Sequence, residues 1–493
     1  MIKRLLHPLS RSLIPPARLG LACGLALIAA TGALAKGKPE TGIKNIFLMV
    51  ADGAGYNTWT AASMYQGRWD ARTGKSTQVY DGPGWVGFGC STYPLHTSTI
   101  PSGSGLQEVG LIYDPAKAWD RVQGYAWLRA GATDSAAAAT ALATGTKTFN
   151  HAINWSDQDQ PLGPTLAEMA KAAGKAVGVV TTVPWSHATT AGLANAHNLS
   201  RNNLADIANA MLTGGVMDVI MGAGNPDFDD NGNLREIASE FQPVGGEDTW
   251  RAIEQARGLP TGTYQGFRPL STLAEFQALI TGPTPRRVLG TAQVATTLQE
   301  ARQGPNAGEP DADPPRNPGV PDLVTLVRGA LNVLDEDPDG LFLAIEGGAV
   351  DWANHQNNAT RMIQEQVEFV AAIEAVIAWV EANSHWGETL LIVTADHDTG
   401  LVWGPGSDRV PFEPLADQGA GRVPKLAFNT THHTNSLVPV YARGAGSEKL
   451  AQFVTGNDPV RGAYVDNTGV AKVLRYAVEG LSAGIPTPDS TPH

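Results

Sequence analysis

Cysteine is nearly absent from this sequence: Cys23 and Cys90 are the only two among 493 residues. A disulfide scaffold is therefore excluded. Basic residues are in deficit, 35 Lys and Arg against 48 Asp and Glu, for a formal charge of −13 and a pI near 5.3. That excludes a broad basic face for nucleic acid as a specific partner. It does not exclude an anionic substrate, because bound cations can reverse the field inside one cleft. No apolar run is long enough to cross a bilayer. There is no G-x-S-x-G elbow of the esterase type and no internal repeat. What remains is an ordinary globular balance, 42% hydrophobic and 17% charged, in a chain long enough to bury a large core.

The N-terminus has the grammar of an export signal. Lys3, Arg4, Arg11 and Arg18 precede a mostly apolar stretch from Leu19 to Ala30, and Ala33-Leu34-Ala35 offers an A-x-A cleavage site. Residues 1–35 are expected to be a signal peptide, which places the protein in the periplasm or outside the cell. Cys23 follows Leu21-Ala22, but too little apolar sequence precedes it for a lipoprotein signal. Cleavage after Ala35 leaves Cys90 as the one thiol, so a core and bound metals have to supply rigidity.

Nearly continuous apolar runs mark strands buried on both faces, as in parallel sheets. They are Asn45 to Val50, Ala176 to Val183, Val216 to Met221, Leu341 to Ile345, Thr389 to Thr394 and Val438 to Tyr441. Helical stretches lie between them: the Ala-rich Ser135 to Ala143, Leu166 to Ala173, Leu323 to Leu334, and the long amphipathic Met362 to Glu381. The alternation predicts a doubly wound, mostly parallel α/β sheet with helices on both faces. Residues 36–493 are expected to be one domain with surface insertions near 73–131 and 222–321. The first is rich in Gly, Ser and aromatics without a clear period, and the second ends in a Pro- and Asp-rich loop, Gly304 to Pro321.

Candidate ligands gather just past the carboxyl ends of predicted strands, where open α/β sheets place their crevice. Asp52 follows the first strand, Glu346 the Leu341 strand, and Asp396 with His397 the Thr389 strand. Asp351 and His355 follow at i, i+4 spacing, which puts them on one face of a helix. Singly, such an Asp is a turn or cap residue. Together, carboxylates and imidazoles suit zinc with a harder ion beside it. The second signal is Thr133-Asp134-Ser135-Ala136-Ala137-Ala138-Ala139-Thr140-Ala141. Ser135 opens a helix of very small residues, where the helix dipole and free amides favour an anion. Taken alone, that serine reads as an N-cap.

At this point the motifs resemble those of the alkaline phosphatases, in family order from Asn45 to about Gly444. Asp134-Ser135 with Thr144-Gly145-Thr146-Lys147 is similar to the family's nucleophile segment. Val50-Ala51-Asp52-Gly53-Ala54-Gly55, Glu346 through His355, Thr394 through Gly400, and His433-Thr434 resemble its metal motifs. The resemblance implies that Asp351, His355 and His433 hold a first zinc. Asp52, Asp396 and His397 would hold a second, and Asp52, Thr189 and Glu346 a magnesium. It implies that Arg201 clamps phosphate in a bidentate fork. Two positions depart from common family patterns: His187 stands where some relatives have Asp, and Trp352 where some have Lys or His. His187 is kept as a candidate ligand of the third ion. His432 adjoins His433, and the two could exchange roles. The implied activity is hydrolysis of small-molecule phosphate monoesters through a phosphoserine, in a chain that could pair as a homodimer.

Rival readings are weaker on specific residues. A sulfatase needs a C/S-x-P-x-R segment, which Ser135-Ala136-Ala137 lacks. A diesterase of the same superfamily usually needs two metals, and Glu346 with Thr189 argues for a third. A non-catalytic phosphate- or metal-binding protein should have lost one ligand or the serine. His96, His151 and His385 are expected not to bind metal, because none follows a strand end with a carboxylate partner.

Overall fold

The central strands form because their residues are mostly apolar, so they are stable only between two covering layers. The computed structural model describes residues 43–310 and 312–480. Eleven strands make one mixed sheet. In chain order they are β1 (Asn45–Ala51), β2 (Trp85–Ser91), β3 (Ala176–Pro184), β4 (Val219–Ala223), β5 (Arg268–Leu270) and β6 (Val288–Thr291). They continue as β7 (Leu341–Gly347), β8 (Thr389–Thr394), β9 (Val438–Gly444), β10 (Val454–Asp458) and β11 (Gly462–Asp466). Their order across the sheet is β10-β11-β2-β9-β8-β1-β7-β3-β4-β6-β5. The run from β8 to β5 is parallel throughout, while β9 is antiparallel to both β8 and β2. Strands β1, β3, β7 and β8 are buried along their whole length.

Two helix layers cover the sheet. One contains α1 (Tyr56–Tyr65), and the other contains α2 (Ser135–Thr144), α3 (Leu166–Ala172) and α4 (Ala188–Leu193). Helices α5 (Leu323–Leu334), α6 (Ala349–His355) and α7 (Ala359–Asn383) join the layer of α1, while α8 (Asn467–Glu479) packs with α2 and α3. Every residue of α2 is buried. Its alanines let α4 approach so closely that a Cβ on Gly192 would lie 2.7 Å from that of Ala139. No helix among the described residues is long and apolar enough to cross a membrane.

The six strands expected from apolar runs are all in this sheet. The two stretches taken for surface insertions are partly structural: residues 73–131 supply β2, and residues 222–321 supply β5 and β6. Glycines hide β2 from a propensity reading. Gly87 leaves room for the ring of Tyr441, and Gly89 for Leu437 and Tyr464, whose side chains would lie 3.0 Å from a Cβ there. Cys90 is a buried free thiol at the end of this strand. Residues 1–35 lie outside the described residues.

Candidate active site

Parallel register puts the ends of β8, β1, β7 and β3 side by side: Val50 pairs with Thr394 and with Glu346, and Glu346 with Thr181. The chain then turns at Asp52 and at Asp396-His397, so carboxylates from three adjacent strands converge. Main-chain amides hold them: Gly53 N–H and His397 N–H donate to Asp396 Oδ1 at 3.0 and 2.8 Å. Helix α6 adds Asp351 and His355 one turn apart, with His355 Nε2 3.2 Å from Asp351 Oδ2. A short antiparallel pair, Asp398–Thr399 with His433–Thr434, brings in His433.

The side chains separate into overlapping clusters. His433 Nε2 lies 3.0 Å from His355 Nε2 and 3.6 Å from Asp351 Oδ1. His397 Nε2 lies 3.3 Å from Asp396 Oδ2 and 3.6 Å from Asp52 Oδ1. Among the described residues, two groups of three bring ligand atoms within 4.8 Å of one another: Asp52, Asp396 and His397, and Asp351, His397 and His433. His397 thus sits between the two centres, with its ring stacked on His433 at 3.7 Å. The third set is joined by hydroxyls: Thr189 donates to Asp52 Oδ2 at 3.4 Å, and Thr181 donates to Glu346 Oε2 at 2.5 Å. His432 is exposed, so of the adjacent pair His433 is the one that faces the site.

This donor set suits cations. Asp52 Oδ1, Asp396 Oδ2 and Glu346 Oε1 are buried and have no hydrogen-bond partner. Burial first, then mutual repulsion, raises the proton affinity of Asp52, with Asp396, Asp351 and Glu346 as the repelling neighbours. Burial likewise raises Asp396 and Glu346. Burial pulls Asp351 the same way, but the hydrogen bond from His355 and the three nearby imidazoles outweigh it and hold it low. Such a nest of carboxylates is stable in ionised form only around positive charge.

Ser135 opens α2, capped by Asp134, whose side chain accepts from Ala137 N–H at 3.0 Å. Its hydroxyl is 3.2 Å from His397 Nε2, and the residue is 1% exposed. It borders a cleft of about 480 Å³ that Arg201, His187, Trp352, Asp351, His355 and His433 also line. Arg201 is held by Asp134 at 3.0 Å, and its other terminal nitrogen is 3.4 Å from His187 Nε2. His187 contacts Arg201 and the ring of Trp352, centroids 5.8 Å apart, rather than the Asp52–Thr189–Glu346 group. Burial and then Arg201 push its proton affinity down to about 3, so it is a neutral imidazole. His151 lines the mouth of the same cleft, while its carbonyl accepts from Arg201 N–H at 2.7 Å. His96 pairs with Asp157 at 2.7 Å, and His385 is exposed beside Glu388. Sequence reasoning missed Thr181 and Thr399, since a threonine at a strand end carries no distinguishing pattern until its hydroxyl is seen on a ligand carboxylate.

A family model described as alkaline phosphatase matches residues 121–418. The alkaline phosphatase of Escherichia coli (strain K12) is 29% identical over 461 residues, covering 87% of each chain. Alkaline phosphatase 3 of Bacillus subtilis is 31% identical over 273 residues, covering 54% of this chain, and the chain spans 49% of that relative's length. Streptomycin-6-phosphate phosphatase of Streptomyces griseus is 30% identical, covering 64% of this chain and 74% of its own. Among solved structures, the cold-active enzyme of a Shewanella species superposes with a TM-score of 0.60 at 23% identity, covering 88% of this chain and 99% of that one. With motifs, sheet and cleft in agreement, the chain belongs to the alkaline phosphatase family.

Proposed function

We propose that this chain hydrolyses small-molecule phosphate monoesters through a covalent phosphoserine on Ser135, at a site for two zinc ions and one magnesium. The observation that carries the reading is the position of Ser135: a helix N-terminus whose hydroxyl meets His397 of one ligand cluster and which borders one cleft with Arg201 and with Asp351, His355 and His433 of the other. Asp351, His355 and His433 would hold one zinc, and Asp52, Asp396 and His397 the other. Asp52, Thr189 and Glu346 would hold the magnesium. Bound there, the ions supply charge stabilisation at the attacking and leaving oxygens of an in-line displacement.

The chain's own residues do the rest. Asp134 holds Arg201 so that its guanidinium fork meets two phosphoryl oxygens. The α2 amides and dipole favour the negative charge gathering beside Ser135. Ser135 Oγ attacks phosphorus, the bond to the alcohol oxygen breaks, and the alcohol leaves with a proton. Water then attacks the phosphoserine from the vacated side and frees Ser135. Two inversions give retention at phosphorus. The same reading includes export to the periplasm or beyond, one catalytic domain over residues 36–493, and pairing as a homodimer.

The test is transfer from a phosphate ester chiral at phosphorus to an alcohol acceptor. Retention is expected. Inversion by the wild-type enzyme shows direct attack by the acceptor alcohol and rules out the serine route while leaving the ligand map intact.

A further inference from the structure

We propose that Thr399 is a positioning residue: its hydroxyl fixes the ring of His397 for metal binding and ties the two ligand clusters to each other. The inference rests on the reading of those clusters as metal ligands and deepens it.

Each ligand histidine turns one nitrogen to the site and needs something to fix the other. His355 Nδ1 is 2.6 Å from Thr431 O, and His433 Nδ1 is 2.9 Å from Thr133 O. A carbonyl can only accept, so both Nδ1 atoms carry hydrogen, and both Nε2 atoms are the ones turned to the site, where each would offer its lone pair to a bound ion. His397 has no such carbonyl. Its Nε2 faces Asp396, Asp52 and Ser135, and its Nδ1 faces Thr399 Oγ1 at 3.3 Å.

A hydroxyl has one hydrogen to give. Thr399 Oγ1 is 2.6 Å from Asp351 Oδ1, and an ionised carboxylate only accepts. The hydroxyl hydrogen therefore goes to Asp351, and the oxygen is left to accept from His397 Nδ1–H. One arrangement satisfies both Nδ1 and the hydroxyl: Nδ1–H to Thr399 and Thr399 O–H to Asp351, which leaves the His397 Nε2 lone pair for an ion held with Asp52 and Asp396. Thr399 is fully buried, and its N–H donates to Gly53 O at 3.0 Å, so the hydroxyl is held in place.

The consequence is a coupling. His355 and His433 are backed by main-chain carbonyls that no substitution removes. His397 is backed by a side chain, and that side chain also grips Asp351 of the other cluster. Losing the hydroxyl frees the His397 tautomer and releases Asp351 at once, so both zinc sites weaken together.

The experiment compares full-length wild type, Thr399→Val and Thr399→Ser, with zinc counted by elemental analysis after dialysis against a series of zinc buffers. Thr399→Val keeps the shape and loses the hydroxyl. Zinc affinity is expected to fall about 10- to 100-fold, the usual cost of removing such a supporting bond, at both zinc sites. Thr399→Ser keeps the hydroxyl and loses the methyl, and is expected to stay near wild type. The reverse order, Val normal and Ser impaired, reduces Thr399 to methyl packing and overturns the proposal, as does wild-type affinity in Thr399→Val. Loss at one zinc site alone overturns the coupling. Wild-type protein that takes up no zinc overturns the metal site itself, a result distinct from all of these.

Discussion

Gly53 follows Asp52 in a left-handed conformation, φ +71°, and a Cβ there would lie 2.6 Å from Asp351 Oδ1. Both facts demand glycine: an L side chain strains the turn and strikes a proposed ligand. Gly53→Ala is expected to cost about 1–2 kcal/mol from the backbone alone. It should also lower zinc content by displacing Asp351, which elemental analysis of the purified variant checks. The ligands themselves make the plainer test. Asp396→Ala and His355→Ala should each hold less zinc than wild type, and unchanged content in both contradicts the ligand map. Ser135→Ala separates chemistry from binding. It should keep its zinc, since Ser135 adds little to either cluster, yet incorporate no covalent phosphate when labelled with radioactive ester.

Helix α7 carries a buried network that pins the Pro-rich segment to the fold. Arg361, among the largest fully buried side chains, donates to Asp313 Oδ1 at 2.9 Å and to the carbonyls of Gln299, Glu300 and Arg302. Arg302 also pairs with Asp313. Arg361→Met leaves Asp313 to Arg302 alone among the arginines and removes the Arg361 donors to the Glu300 and Arg302 carbonyls, with an expected loss of about 1–3 kcal/mol in urea denaturation. The same network makes stability depend on pH. Burial pushes Glu300 up from 4.5 to about 7, against the pull of Arg361. Burial and then Glu368 raise Glu365 as well. The folded state thus keeps protons that the unfolded chain releases near its ordinary value. Their contribution is present below about pH 4.5 and is lost as pH rises through about 7. Glu300→Gln should flatten that decline, so that its stability gain over wild type grows from pH 5 to pH 8. A gain equal at both pH values would show that Glu300 is ionised in the fold throughout.

Across the whole molecule, bound ions and folding are linked. With Asp52, Glu346 and Asp396 meeting at one sheet edge, chelation should lower the melting temperature and zinc should restore it. Saturation at 100 times Kd contributes about 2.7 kcal/mol per site. Calorimetry across a zinc titration measures this, and a melting temperature indifferent to chelator argues against a metal centre there. The sequence by itself determined the central sheet and the inventory of the site. Apolar runs such as Ile46 to Val50 are stable only between covering layers, and the parallel order of those strands brings Asp52, Glu346 and Asp396 to one edge. The spacing of Asp351 and His355 on α6 and the small-residue helix behind Ser135 were equally legible, because both are local periodicities. Only the tertiary structure decided what depends on contact between distant segments. It placed β2, whose glycines carry no strand propensity, by fitting the ring of Tyr441 over Gly87 and the side chains of Leu437 and Tyr464 over Gly89. It set His433 inward and left His432 outward, because the short strand pairing with Asp398–Thr399 starts at His433 and His432 lies in the exposed bend before it. It turned Thr181 and Thr399 into supports for Glu346 and Asp351, because a hydroxyl gains that role from the carboxylate that folding brings within hydrogen-bond reach.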